Sequence, residues 1–291
     1  NTNNTALYRI SHPQGAPQAY STQVVDTSKG TCRTLPRGAF IYSRDTLGAV
    51  VGPLLGLAGY ELLDHRIAPL LYIAIVPAVL SVLLVALVHE KRRTGPRPER
   101  RPVFTGLREL PRRYWRATAL VVGFGLVNFP DALLLLRLNE IGFGVAGVIL
   151  AYVGYNVVYA LGSFPAGVLA DRLPRPAVFG FGLVFFAVGY IGLGLTTNTV
   201  AACLLIGMYG LFTAFTDGVG KAWISSLVGS DRQAGAQGVF QGASGLAVLA
   251  AGLWAGLLWG ADGRVPLLIS GVVGGCFALA LLVPWVLRRA R

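Results

Sequence analysis

The sequence predicts an all-α integral membrane protein with eight transmembrane helices. Three observations predict it. The 291 residues are 54% hydrophobic and only 13% charged, with a mean hydropathy of +0.61; a soluble globular domain carries less apolar and more charged residue than this. Apolar runs recur at 45–63, 67–88, 117–138, 143–169, 177–196, 199–228, 236–260 and 265–287, each near the roughly 20 residues that a helix needs to cross a bilayer. The charges fall between those runs. Near-continuous apolar runs of this length indicate helices rather than the alternating, shorter strands of a membrane barrel.

The stretch 89–116 orders the rest. It holds ten Lys or Arg and three acids, cannot lie in hydrocarbon, and by the positive-inside rule is a cytoplasmic loop. Eight spans then put both termini on the cytoplasmic side. Of the 25 Lys and Arg, 21 fall in the segments this topology places inside, and three, Arg66, Arg137 and Arg264, fall outside. The net charge of +12 is therefore read as orientation signal, not as a nucleic-acid surface. The 22 Arg against 3 Lys, with abundant Gly and Ala, fit a GC-rich bacterial genome and hence a bacterial cytoplasmic membrane.

Residues 1–36 are polar, lack a span-length apolar run and show no secretory signal; they read as poorly ordered or foreign to the fold. The first two spans lie in 37–88. Residues 89–116 are the basic linker, and 117–291 carry six spans. Cys32, Cys203 and Cys276 share no metal-ligand spacing, and no His, Cys and carboxylate cluster points to a metal. The chain has no P-loop, H-E-x-x-H or G-x-S-x-G pattern, so no cofactor and no enzymatic activity are expected.

Polar residues inside the spans are the site candidates, because a charge there is costly. Asn128 and Asp131 are three apart in span 117–138, on one face of a continuous helix, with Pro130 between them freeing carbonyls. Asp131 has two readings: a carrier of a proton or a binder of a cationic group, or a structural pair with a neighbouring helix. Arg137, near the outer end, reads as a snorkelling or anchoring residue. Asp217 and Lys221 lie at i and i+4 and can close on each other; Asp217 is a second carrier candidate or half of a pair that holds a gate. Tyr209, Thr213, Thr216 and Gly220 form a polar stripe on the same helix. Tyr152, Tyr155, Asn156 and Tyr159 form another, either an aromatic substrate face or ordinary packing. Gln237 and Gln241, one turn apart, are possible cavity donors.

Two motifs carry a family resemblance. Gly48, Gly52, Pro53 and Gly56 resemble the G-x-x-x-G-P-x-x-G-G antiporter motif of the major facilitator superfamily, with Leu57 in place of its last Gly; glycines every four residues give a bare face for close helix approach. Gly167, Leu169, Asp171, Arg172 and Arg175 resemble the superfamily's loop motif, with Pro174 for its Gly and Pro176 for its last basic residue. Asp171 can pair with arginines and cap the next helix. The resemblance covers 37–287 and is to bacterial twelve-helix permeases of the drug-efflux type. It implies that the spans correspond to helices 5–12 of that fold and that the first four are missing from this chain. It also implies secondary active transport of a small solute by alternating access, as proton-coupled efflux. The partners implied are the lipid bilayer, a small-molecule substrate, protons and the missing N-terminal helices. The alternatives are a proton-coupled importer, or a non-transporting or partner-dependent membrane protein.

Overall fold

The structure, a computed structural model, describes residues 24–26, 31–33, 37–63, 67–87, 110–229 and 232–289. Two short strands come first, β1 (Val24–Asp26) and β2 (Thr31–Arg33), antiparallel with Val25 opposite Cys32. The helices follow: α1 (Arg37–Leu62), α2 (Ile67–Leu87), α3 (Arg112–Gly125), α4 (Asp131–Ile141), α5 (Val145–Arg172), α6 (Arg175–Leu195), α7 (Thr199–Ser226), α8 (Gln233–Leu257) and α9 (Arg264–Arg289). Most of the linker 89–116 lies outside the described residues, as does most of 1–36.

Each apolar run coincides with helix. Among the described residues, α5, α6, α7, α8 and the Arg264–Leu287 part of α9 are each long and apolar enough to cross a membrane. Their outward leucines and valines stay exposed, among them Leu161, Leu204, Leu253 and Leu279, because the bilayer rather than a protein core receives them. The α2 side chains described from Leu71 to Leu84 are exposed all round.

Span 117–138 differs from expectation: it is two helices, not one. α3 ends at Gly125, residues 126–130 are non-helical, and α4 starts at Asp131. Pro130 has no N–H for the carbonyl four residues back, and its ring disfavours helical geometry at Phe129. The orphaned acceptor is Leu126 O. It receives Trp254 Nε1 from α8 at 2.7 Å. Pro53, Pro77, Pro165 and Pro284 sit inside unbroken helices, so proline alone does not make the break; an outside donor for the freed carbonyl accompanies it here. The break seats against α8 at Gly252, where an added Cβ would lie 3.2 Å from Pro130 Cδ. α4 closes on Gly142 in the left-handed region (φ 117°), a conformation that glycine adopts without steric cost.

The bundle is built on α6, which packs along both α7 and α9, while α7 also packs along α5. α3 leans on α8, and α1 lies along α5. The core is aromatic: the Phe124 ring meets Phe186 edge-on at 4.9 Å, and Phe186 stacks on Tyr190 at 4.0 Å.

Arg137 does not snorkel. It is 3% exposed and donates to three backbone carbonyls: Leu193 O at 3.1 Å, Thr196 O at 3.1 Å and Asp262 O at 2.9 Å. Leu193 and Thr196 belong to the C-terminal end of α6, whose last carbonyls lack intrahelical donors and carry the negative end of the helix dipole. The planar fork of Arg suits several acceptors at once. Glu140, one turn on, accepts Trp259 Nε1 at 2.8 Å and lies 3.8 Å from Arg137. Together these side chains tie α4 to the C-terminal end of α6 and to the segment that leads into α9. Arg137→Ala leaves three acceptors bare and is expected to destabilise the protein by about 2–4 kcal/mol. Arg137→Lys should recover only part of that loss, and thermal denaturation in detergent reads both.

Candidate functional site

Asp131 occupies the first position of α4 because Pro130 ends the preceding segment and starts the helix. Its Oδ1 accepts the Tyr209 hydroxyl at 2.6 Å, a short bond between two oxygens. Tyr209 comes from α7, and Tyr155 from α5 stacks on it with ring centroids 5.3 Å apart and planes at 21°. Tyr152 continues the stack at 5.6 Å from Tyr155, and Tyr190 from α6 meets Tyr209 at 5.8 Å. The stack depends on α5 and α7 approaching closely at Gly210, where a Cβ would come within 2.7 Å of Tyr155 O.

Asp131, Tyr152, Tyr155 and Tyr209 line one cleft with Leu134, Leu135 and Ile206, and it is too tight to admit a water-sized sphere. The arrangement can hold a proton or another small positive group on one oxygen-rich spot, against aromatic faces that are themselves attractive to cations. A larger groove of ≈ 430 Å³ lies between the start of α6 and the end of α9, lined by prolines, alanines, Leu281 and Trp285, and offers no titratable group.

A second polar group lies further along α5 and α7. Lys221 Nζ is 2.7 Å from Asp217 Oδ1, so the i, i+4 pair closes as the spacing allows. Tyr159 donates to Asp217 Oδ2 at 3.4 Å. The Asp217 and Lys221 side chains are 40% and 49% exposed, so the pair is open rather than buried in the bundle and offers little to stability. Gln237 ties α8 to the same end of α7 through Lys221 O at 2.8 Å and Ser225 Oγ at 2.6 Å.

The remaining candidates divide. Asn128 does not share a helical face with Asp131, because the break separates them; its Oδ1 is buried with no partner. Asn156 is buried but donates to Tyr152 O on its own helix at 2.8 Å. Gln241 is exposed on α8. The α7 stripe splits: Thr213 bonds Tyr155 at 3.2 Å, whereas Thr216 returns to Phe212 O and, with Gly220, packs against α6.

Among the described residues the two motifs make few contacts. A Cβ at Gly48, Gly52 or Gly56 would meet none of those residues within 4 Å. Asp171 does not cap α6; it lies in the last turn of α5, and Pro174 holds the N-cap without a side-chain bond. Gly167, Asp171 and Arg172 are exposed, while Arg175 reaches Ala222 O on α7 at 3.0 Å.

Two contributors were not picked out from the sequence: Tyr190, whose hydroxyl lies 3.5 Å from Phe129 O, and Trp254 on α8. The signal for them was half present. A proline inside an apolar span marks the carbonyl four residues earlier as needing a donor, but the identity of that donor is a matter of packing. Among the described residues no cluster of His, Cys and carboxylates could hold a metal.

A bundle of helices long and apolar enough to cross a membrane, one span of it broken at Pro130, defines a multi-pass membrane protein. The model of the Major Facilitator Superfamily matches residues 118–291, and the chain belongs to that family, whose members are transporters and not enzymes. It is similar to an uncharacterized MFS-type transporter of Methanocaldococcus jannaschii, 29% identical over 264 residues, which cover 88% of this chain and 65% of that protein. It is also similar to a cis,cis-muconate transport protein of Acinetobacter baylyi, 28% identical over 157 residues, covering 49% of this chain and 38% of that protein. The chain thus spans less than two thirds of the length of either relative.

Removing the Tyr209 hydroxyl should be costly and removing the Asp217 charge should not. Tyr209→Phe is expected to lose about 1–3 kcal/mol of stability, since it strips a buried hydrogen bond to a carboxylate. Asp217→Asn is expected to stay within about 0.5 kcal/mol of the parent. Denaturation of the two variants side by side checks the ranking.

Proposed function

We propose that the chain works in secondary active transport of a small solute, coupled to protons through Asp131, and that the solute is exported in exchange for protons. The observation that carries this reading is Asp131 itself: a carboxylate in a span, at a helix break, on a tyrosine hydroxyl at 2.6 Å. A carboxylate inside a membrane is a functional site by default, and a broken helix at the site is the usual way that transporters expose backbone and charge to a substrate. Asp217, open and paired to Lys221, is the lesser candidate. The Gly48–Gly52–Pro53–Gly56 motif supports export over uptake.

In this reading α1 and α2 belong to a first bundle, α3 to α9 form a second, and helices preceding α1 would lie on its open glycine face. The basic linker is cytoplasmic, both termini lie on that side, and the membrane is the bacterial cytoplasmic membrane.

A second reading, uptake with protons, is supported by the name of the muconate relative. A dicarboxylate entering the cleft meets like charge unless Asp131 is protonated first, so proton and solute would travel together. Proteoliposomes holding the protein and a trapped pH dye separate the two, with cis,cis-muconate as the first probe. Export by exchange moves protons against the solute, and uptake moves them with it. In either direction, Asp131→Asn should abolish solute-driven proton movement, while Asp217→Asn should keep at least about half of it. Undiminished proton movement in Asp131→Asn would overturn the assignment.

A further inference from the structure

Pro130 creates a vacancy in the donor count of its own helix, and another helix fills it. A residue with an N–H at position 130 in a continuous helix would bond Leu126 O. Proline cannot. Trp254 on α8 supplies Nε1 to that same oxygen at 2.7 Å. One residue pair away on α8, Gly252 leaves the room that the Pro130 ring occupies, with a hypothetical Cβ 3.2 Å from Cδ. From the other side, the Tyr190 hydroxyl faces Phe129 O at 3.5 Å, and its ring packs on Phe129 at 4.9 Å.

We infer that Trp254 is a positioning residue for Asp131: its indole N–H substitutes for the amide that Pro130 lacks, and so fixes where α4 begins. The link is short and covalent. Asp131 is the residue next to Pro130, and as the first residue of α4 it lies where the helix dipole favours a carboxylate. Its register on Tyr209 is set by where that helix starts. Moving the break moves the carboxylate relative to the Tyr209 hydroxyl and changes how firmly it holds a proton. The charged and titratable groups facing Asp131 from the packed helices are Tyr152 and Tyr155 on α5, Tyr190 on α6 and Tyr209 on α7; α8 reaches it only through the break.

The inference rests on Asp131 being the proton carrier, but its test has an arm that does not. The indole and the missing amide serve the same acceptor, so Trp254→Phe and Pro130→Ala must be coupled. In the parent, Trp254→Phe should move the midpoint of the Asp131 carboxyl titration by about half a pH unit or more. That band is read by infrared difference spectroscopy and assigned by its loss in Asp131→Asn. In the Pro130→Ala background, where an amide is restored to serve Leu126 O, the same substitution should move it by less than half as much. The thermal midpoints should show the same non-additivity. Gly252→Ala gives an independent second cycle, since its Cβ presses on a ring that Pro130→Ala removes.

Equal shifts in both backgrounds, in both cycles, would overturn the inference. If the parent shows no Asp131 titration, the proton-carrier reading fails. The thermal cycles then decide the clasp by themselves: additive losses sink it, and coupled losses keep it.

Discussion

One missing hydrogen-bond donor shapes the centre of this protein. In hydrocarbon there is no water to satisfy a carbonyl, and an unpaired one costs several kcal/mol by order of magnitude. A proline in a span frees such a carbonyl. At this break an indole on α8 meets it, and the span lies in two pieces. The break exposes a helix start at mid-span and puts an acid on it. Close packing at Gly210 and Gly252 then brings the tyrosines of α5 and α7 and the body of α8 around that point.

The far end of the same short helix is fixed by the opposite charge. Arg137 is buried at a helix C-terminus, where carbonyls converge, as Asp131 lies at a helix N-terminus. Both ionisable residues of α4 that enter the bundle meet backbone or hydroxyl dipoles rather than a close ion pair; the nearest acid to Arg137 is 3.8 Å away. Dipoles of fixed helices are a stable environment for a charge that cannot reach water.

Much of the fold was legible because bilayer thickness sets a length that the sequence must match. Each apolar run became helix, though α1 starts eight residues before its run and 117–138 lies in two pieces, and Asp217 and Lys221 paired as i, i+4 spacing allows. The break was not legible in the same way. Hydropathy does not distinguish one helix of span length from two short ones, and Pro53, Pro77 and Pro165 leave their helices intact. The freed carbonyl at the break meets a donor 128 residues away in the chain, which no local pattern marks. Arg137 was misread for a related reason: its partners are main-chain carbonyls, which every residue type possesses and no sequence pattern marks. Asp171 was credited with a cap because helix limits drawn from hydropathy ended α5 too early. The glycines of α1 mark a face open to close approach, and among the described residues nothing lies within 4 Å of an added Cβ there.

The tightness of the cleft beside Asp131 bears on traffic through the bundle. The cleft admits no water-sized sphere, while Asp131 itself keeps part of its surface open. The stacked tyrosines fill the space that solvent would take on one side of the acid, like a bolt behind a door. Anything larger than a proton enters on that side only when α5 and α7 part.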